Sequence, residues 1–465
     1  MRGQKKSIPP SRCIKPMQLS FRALSACIVL CAMAPLDASA AAADLLSIYR
    51  EAQTADPVYS GARATYAAGQ EKLPQGLAGL LPGVTATGNT QYNDRDLQFR
   101  GAAPNLLSGA SRFNSNGISV TATQPLFRFQ NWITYEQAKK QVSQAEATFL
   151  QANQDLIIRV AQTYFDILLA ENNVTLAAAQ KTAFAEQLAQ AKRNFEVGTA
   201  TITDANDAQA RHDLAVSQEI AAQNDLEIKK QSLRQIIGRV APPITPIGNR
   251  FTPQLPAPNN MDQWVDNGAL TSYQVKVAQA NVDIAGQEVS KNRAGHLPTL
   301  DAVASYNEAS QGAGFQVGPG FDTTNKIIGL QLAVPLYQGG AINSRVREAI
   351  ANQDKARDDL ENTKRTVALN TRASFLSVTN GVAQIKALET ALASSQSSLD
   401  STKLGREVGV RTEVDVLNAQ QQVISTRRDY AQAIYTYAIN VLKLKGAAGT
   451  LSDEDLAYVN QWLAK

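Results

Sequence analysis

Charge gathers at two short, related motifs. Glu196 to Gln209 reads EVGTATITDANDAQ and Glu407 to Gln420 reads EVGVRTEVDVLNAQ, with seven of fourteen positions identical at an offset of 211. Each places an aspartate, Asp204 or Asp415, shortly after a Val-Gly pair. The second also carries Arg411, and Arg406 stands just ahead of it. Such groups can form ion pairs or attract ions. They are not a catalytic set. The two histidines lie apart, His212 in a polar helical stretch and His296 before a Leu-Pro breaker. No cluster of His, Cys and carboxylates has metal-ligand spacing, and no nucleophile motif appears. Asp358 and Asp359 read as a solvated helix face. The residues therefore point away from an enzyme and call for no cofactor or metal. Read alone, the charged turn residues are solvated helix ends, so their meaning depends on what positions them.

The chain around them reads as exported. Residues 1–40 carry basic side chains (Arg2, Lys5, Lys6, Arg12, Lys15, Arg22), an apolar run from Ala23 to Pro35, and Ala38-Ser39-Ala40 as a cleavage site. A start at Met17 leaves a signal peptide of 24 residues. Leu24-Ser25-Ala26-Cys27 has the form of a lipoprotein box, but the apolar run follows Cys27 instead of preceding it, so lipidation is not expected. All three cysteines lie in this leader, leaving the mature chain without disulfides or thiolate ligands. The net charge of +4 sits partly in the leader, and no basic stripe interleaves with aromatics, so nucleic acid is not a partner.

The elements repeat. Leu81-Pro82 corresponds to Leu297-Pro298, and Gln124 to Phe127 corresponds to Val334 to Tyr337. We read residues 41–238 as one structural unit, 239–260 as a Pro-rich connector, 261–446 as a second unit and 447–465 as a tail with a small helix. Each unit begins with a half-length helix, Asp44 to Leu80 or Met261 to His296. Two strands follow, then a long helix, Trp132 to Phe195 or Ala341 to Leu404. After the Val-Gly turn comes another half-length helix, Asp204 to Ile237 or Glu413 to Lys445. Val142, Ala145, Phe149, Ala152 and Leu156 step by three and four, as do Phe184, Leu188, Ala191 and Phe195, which is coiled-coil spacing. A long helix would extend about 96 Å and each half helix about 50–55 Å, so two stacked half helices match one long one.

The strands carry period two. Ile328, Leu330, Leu332, Val334 and Leu336 alternate with a second set. Ile118, Val120 and Ala122 alternate with small or polar residues, and Val84 to Gln91 and Leu300 to Tyr306 do so more weakly. That pattern suits a barrel with a wet lumen. Phe127, Phe129, Trp132 and Tyr337 stand where strand becomes helix, at positions fit either for a membrane-interface belt or for junction packing. Closed membrane barrels need at least about eight strands, so four strands that span lipid require more copies. A soluble periplasmic coiled-coil adaptor or scaffold would explain the helices and the export signal. It leaves the strand pairs and the duplication without a purpose.

Gly295 to Asp301 (GHLPTLD), Val334 to Val346 (VPLYQGGAINSRV), Ser397 to Gln420, and SLRQIIG ending at Gly238 together make the sequence resemble the TolC family of outer-membrane efflux proteins. The likeness runs from about Asp44 to Leu463 and leans toward the type I secretion branch. It implies a mainly α protein with a membrane β-barrel, in the outer membrane of a Gram-negative bacterium and extending into the periplasm. A homotrimer would share one twelve-stranded barrel set in outer-membrane lipid. A coiled-coil α-helical barrel would form the tunnel, with the connector and tail as an equatorial belt. The implied partners are a periplasmic adaptor (membrane fusion) protein and an inner-membrane ABC or RND pump, and the implied cargo is drugs or polypeptides.

The resemblance also turns the helix-end charges into an iris-like periplasmic gate. Arg411 matches the family's gate arginine, Thr203 and Asp204 match its partners, and Asp415 matches the first acidic ring of the constriction. Two positions depart: Asn418 stands for the second ring aspartate and Arg406 for a gate tyrosine. Three Asp415 carboxylates around an axis would attract cations. Asn418 removes a ring of charge, which predicts weaker cation selectivity, restored by Asn418→Asp. Arg406 is expected to pair with Asp204.

Overall fold

The computed structural model describes residues 42–98, 109–248, 251–313 and 319–464. The expected signal peptide, its cysteines and Leu24–Cys27 lie outside the described residues, as do parts of the two strand-to-strand loops.

The first half-length helix is three helices: α1 (Leu45–Ala55), α2 (Pro57–Gln70) and α3 (Lys72–Ala78). Pro57 causes the first break, because proline disfavours a helical conformation at the residue before it. Asp56 is accordingly extended, and its carboxylate caps α2 by accepting from the Tyr59 N–H. Next come β1 (Gly83–Leu97), β2 (Gly109–Phe127), α4 (Phe129–Glu196) and α5 (Ile202–Ile237). The second half of the chain follows the same plan. α6 (Met261–Thr271) and α7 (Tyr273–Arg293) part at Ser272, and a short 3-10 turn (Ala294–His296) precedes β3 (Thr299–Gln311) and β4 (Phe321–Ala333). Then come α8 (Ala341–Glu407), α9 (Glu413–Ala447) and α10 (Asp453–Asn460).

α4 has 68 residues and α8 has 67, so each runs about 100 Å. α2 and α3 lie beside α4, and so does α5; α6 and α7 lie beside α8, and so does α9. The stacked-half-helix arrangement expected from lengths is therefore the one formed. The main core sits midway along α4 and α8, where the shorter helices end. There Leu45, Ile48 and Tyr49 of α1 meet Leu156, Val160 and Tyr164 of α4, Leu233 of α5, Val378 of α8 and Leu442 of α9. The connector and tail brace this level. Ala43 pairs with Ile244, and Ile247 with Leu463. Phe251, Tyr437, Tyr458 and Trp462 stack edge-on or face-on in one aromatic group.

The strands form one antiparallel sheet in the order β1-β2-β3-β4. They run past the expected bounds toward the loops, where alternation fades but pairing continues. β4 stops at Ala333, ahead of the expected Leu336. Pro335 has no N–H to extend the ladder.

Candidate gate, junction and membrane surface

Both helical hairpins, α4/α5 and α8/α9, turn in the same way. Gly198 and Gly409 take φ of +78° and +82°, a left-handed conformation that side chains with a Cβ disfavour. The Thr199 N–H donates to the Asn194 carbonyl at 2.8 Å, and the Val410 N–H to the Gly405 carbonyl at 2.9 Å. Thr201 then caps α5 and Thr412 caps α9. In each box the threonine hydroxyl accepts from the aspartate N–H at 3.2 Å. The aspartate accepts in return from the threonine N–H, at 2.9 Å for both Asp204 and Asp415. Those backbone and hydroxyl donors hold both carboxyls below their usual range, with Arg411 adding to the effect at Asp415. The two proposed gate acids thus also have a local role: each starts its helix.

The expected Arg406–Asp204 pair is not formed within the chain. Arg406 Nη1 lies 3.1 Å from Glu413 Oε2 and so ties the end of α8 to the start of α9. Glu413 is seven residues on and needs no change of hairpin, whereas Asp204 is already engaged by Thr201. Arg411 is exposed, with its stem over Gly405, where a Cβ would lie 2.8 Å from Arg411 Cγ. Among the described residues its guanidinium donates to no acceptor in the chain. Thr203 is exposed on the first turn of α5.

Near the turns the two hairpins touch. Phe184 of α4, Ala215 of α5 and Leu417 of α9 form a small buried cluster. Gln180 donates to Gln421 at 2.6 Å, Gln187 to Gln420 at 3.0 Å, and Arg211 to Asn418 at 3.1 Å. Nothing in the sequence pattern singled out Arg211.

At the other end the sheet has two unlike faces. The register puts Val84, Ala86, Ile118, Val120, Ala302, Ala304, Ile328, Leu330 and Leu332 on one face. Thr85, Thr87, Ser119, Thr121, Ser305, Asn307, Asn325 and Gln331 occupy the other, with Phe113, Val303, Phe321 and Ile327 as apolar exceptions there. The apolar face is open, with Ile328 90% and Leu330 70% exposed. Phe127 ends β2, Phe129 and Trp132 begin α4, and Tyr337 precedes α8, and all four are exposed. Tyr92 and Tyr306 lie on the apolar face nearer the loops, a second aromatic level that sequence reading missed. Also missed was Arg128, between Phe127 and Phe129. Its guanidinium grips Asp301 of β3 through Nε–Oδ1 at 2.8 Å and Nη2–Oδ2 at 2.6 Å.

No helix among the described residues is long and apolar enough to cross a membrane. The sheet, apolar on one face and polar on the other, is the element suited to lipid. Joined to hairpins of about 100 Å, it defines a class: the protomer of an outer-membrane channel with a helical tunnel. The chain belongs to the outer membrane efflux protein family, whose model matches residues 48–239 and 265–450. It is 31% identical to the outer membrane protein TolC of Escherichia coli K12, over 91% of this chain and 86% of that one. It is 30% identical to the proteases secretion protein PrtF of Dickeya chrysanthemi, over 91% and 92%. Its fold matches the Campylobacter jejuni CmeC outer membrane channel with a TM-score of 0.74 at 17% identity, over 90% of each chain. This chain is therefore an outer-membrane export channel subunit reaching into the periplasm, a transporter and not an enzyme. The soluble adaptor or scaffold reading is set aside.

Proposed function

We propose that three copies close one twelve-stranded barrel and one helical tunnel, sealed at its far end by the two kinds of turn. The observation that carries this reading is the sheet: most of its apolar residues share one face, and β1 and β4 are left as edges. Unpaired edges are not stable in lipid, so β4 of one copy pairs with β1 of the next. The aromatic levels at Phe127, Phe129, Trp132 and Tyr337 and at Tyr92 and Tyr306 sit at the two membrane interfaces.

The gate comprises Thr203, Asp204, Arg406, Arg411, Asp415 and Asn418. Exposed Arg411, without an acceptor among the described residues of its own chain, reaches Thr203 and Asp204 of a neighbouring copy. Arg406 supports the gate from within its own hairpin. The signal peptide (1–40), the two repeats (41–238 and 261–446) and the equatorial connector and tail (239–260 and 447–465) divide the chain by role. A periplasmic adaptor and an inner-membrane ABC or RND pump deliver drugs or polypeptides to the duct. Kinship with a protease secretion protein supports polypeptides as one cargo class.

Outer-membrane fractions should yield a heat-resistant trimer on gels. Deleting the gene should remove secreted polypeptides, sensitise cells to drugs, or both. Extraction of the protein by salt alone would overturn the reading.

A further inference from the structure

We infer that Arg211 is a positioning residue of the gate: its hydrogen bond to Asn418 latches one hairpin to the other within each protomer, and opening must break it. This rests on the gate reading above. Arg211 Nη2 donates to Asn418 Oδ1 at 3.1 Å, joining residues 207 apart in the chain. Among the described residues it is the charged contact between the α4/α5 and α8/α9 hairpins. Three other ionic groups near the turns act within their own hairpins, and Arg411 donates to no acceptor among the described residues. Arg406 binds Glu413, Asp204 binds Thr201, and Lys181 binds Glu219.

Its position gives it leverage. α9 is anchored at its far end, where Tyr437, Ala438 and Leu442 are buried in the main core. Asn418 lies about 30 Å from that anchor along the helix, near the free end. A weak contact at the end of a long arm resists a large bending moment. Beside it, Leu417 is buried against Phe184 and Ala215, so the bond sits over an apolar contact between the two hairpins.

Its chemistry suits a reversible latch. Guanidinium stays charged at any working pH. Asn418 is exposed and neutral, so breaking the bond strands no buried charge, and water replaces the lost partner. The two glutamine pairs continue the same contact toward the core and can part in sequence.

The test is single-channel recording of the purified full-length channel in planar lipid bilayers. Arg211→Gln and Asn418→Ala should each raise open-state occupancy about tenfold, since three weak contacts are lost per trimer and their factors of about two multiply. Arg211→Gln/Asn418→Ala should rise no further than either single variant, because both remove one contact. Asn418→Asp should sit at or below wild type, and Arg211→Lys should restore part of the closure. Additive singles would overturn the latch. So would wild-type behaviour of Arg211→Gln and Asn418→Ala while Arg411→Ala opens the channel, an outcome that leaves the gate reading standing. If Arg411→Ala and Asp204→Ala also leave the closed-state conductance unchanged, the gate reading falls and the latch with it.

Discussion

Arg128 and Asp301 meet where the sheet hands over to the long helices, and their burial is unequal. The Asp301 side chain is 8% exposed and that of Arg128 is 42% exposed. Arg128→Ala leaves a carboxylate buried without its partner, whereas Asp301→Ala leaves a guanidinium half in water. Thermal dissociation of the detergent-solubilised oligomer should show a loss of about 3 kcal/mol for Arg128→Ala and about 1 kcal/mol for Asp301→Ala. The reverse order would refute the burial argument. Asn418 needs a revised expectation at this scale. An aspartate there would meet Arg211, which already donates to that position, and its charge would be largely compensated. Reversal potentials in a salt gradient should therefore move little for Asn418→Asp and clearly toward cations for Arg211→Gln/Asn418→Asp.

The turns show how an element carries a function through local rules. Each Val-Gly turn needs its glycine for the positive φ, and each following helix needs its Thr-x-x-Asp box. Hydrogen bonds depress Asp204 and Asp415 below the usual 3.8. A depressed folded pKa means that the cap is fully present above the unfolded value. It is lost as pH falls through the lower folded value. Closed-state conductance should therefore be flat from neutral pH down to about pH 5 and should rise only in stronger acid. Thr412→Val should raise the conductance at neutral pH and blunt that acid response. A response centred near neutrality would point to another group.

At the scale of the whole molecule, two solvents read the two faces of one sheet. Ile328 stands on the apolar face and is 90% exposed in the single chain, whereas Thr121 stands on the polar face. Ile328→Lys should cost about 2–4 kcal/mol if that face meets lipid, and the heat-resistant oligomer should drop out of the outer-membrane fraction. Thr121→Lys should assemble normally and alter conductance alone. Equal assembly of the two variants would reverse the assignment of the faces.

Periodicity and chain breakers are local, so they are legible in the residues. Spacing by three and four marked the long helices, alternation marked the strands, and Val-Gly marked the turns. Even the break at Asp56-Pro57 was there to be read, though a continuous helix had been expected. The break at Ser272 had no such signal. There Gly449 packs so close that a Cβ would lie 2.6 Å from Ser272 Cα, a contact made only when the tail folds back on α6 and α7. The partners of the charged residues share that origin. Arg406 chose Glu413 over Asp204, Arg128 found Asp301, and Arg211 found Asn418. The last two join residues 173 and 207 positions apart. A helix pattern says which face is apolar but not how far one helix slides along another, and a slide of one turn changes every polar partner. The sequence by itself determined the order of the parts, the lengths of the long helices and the places of the two turns. Tertiary packing decided which charges meet, because packing alone sets the register between helices.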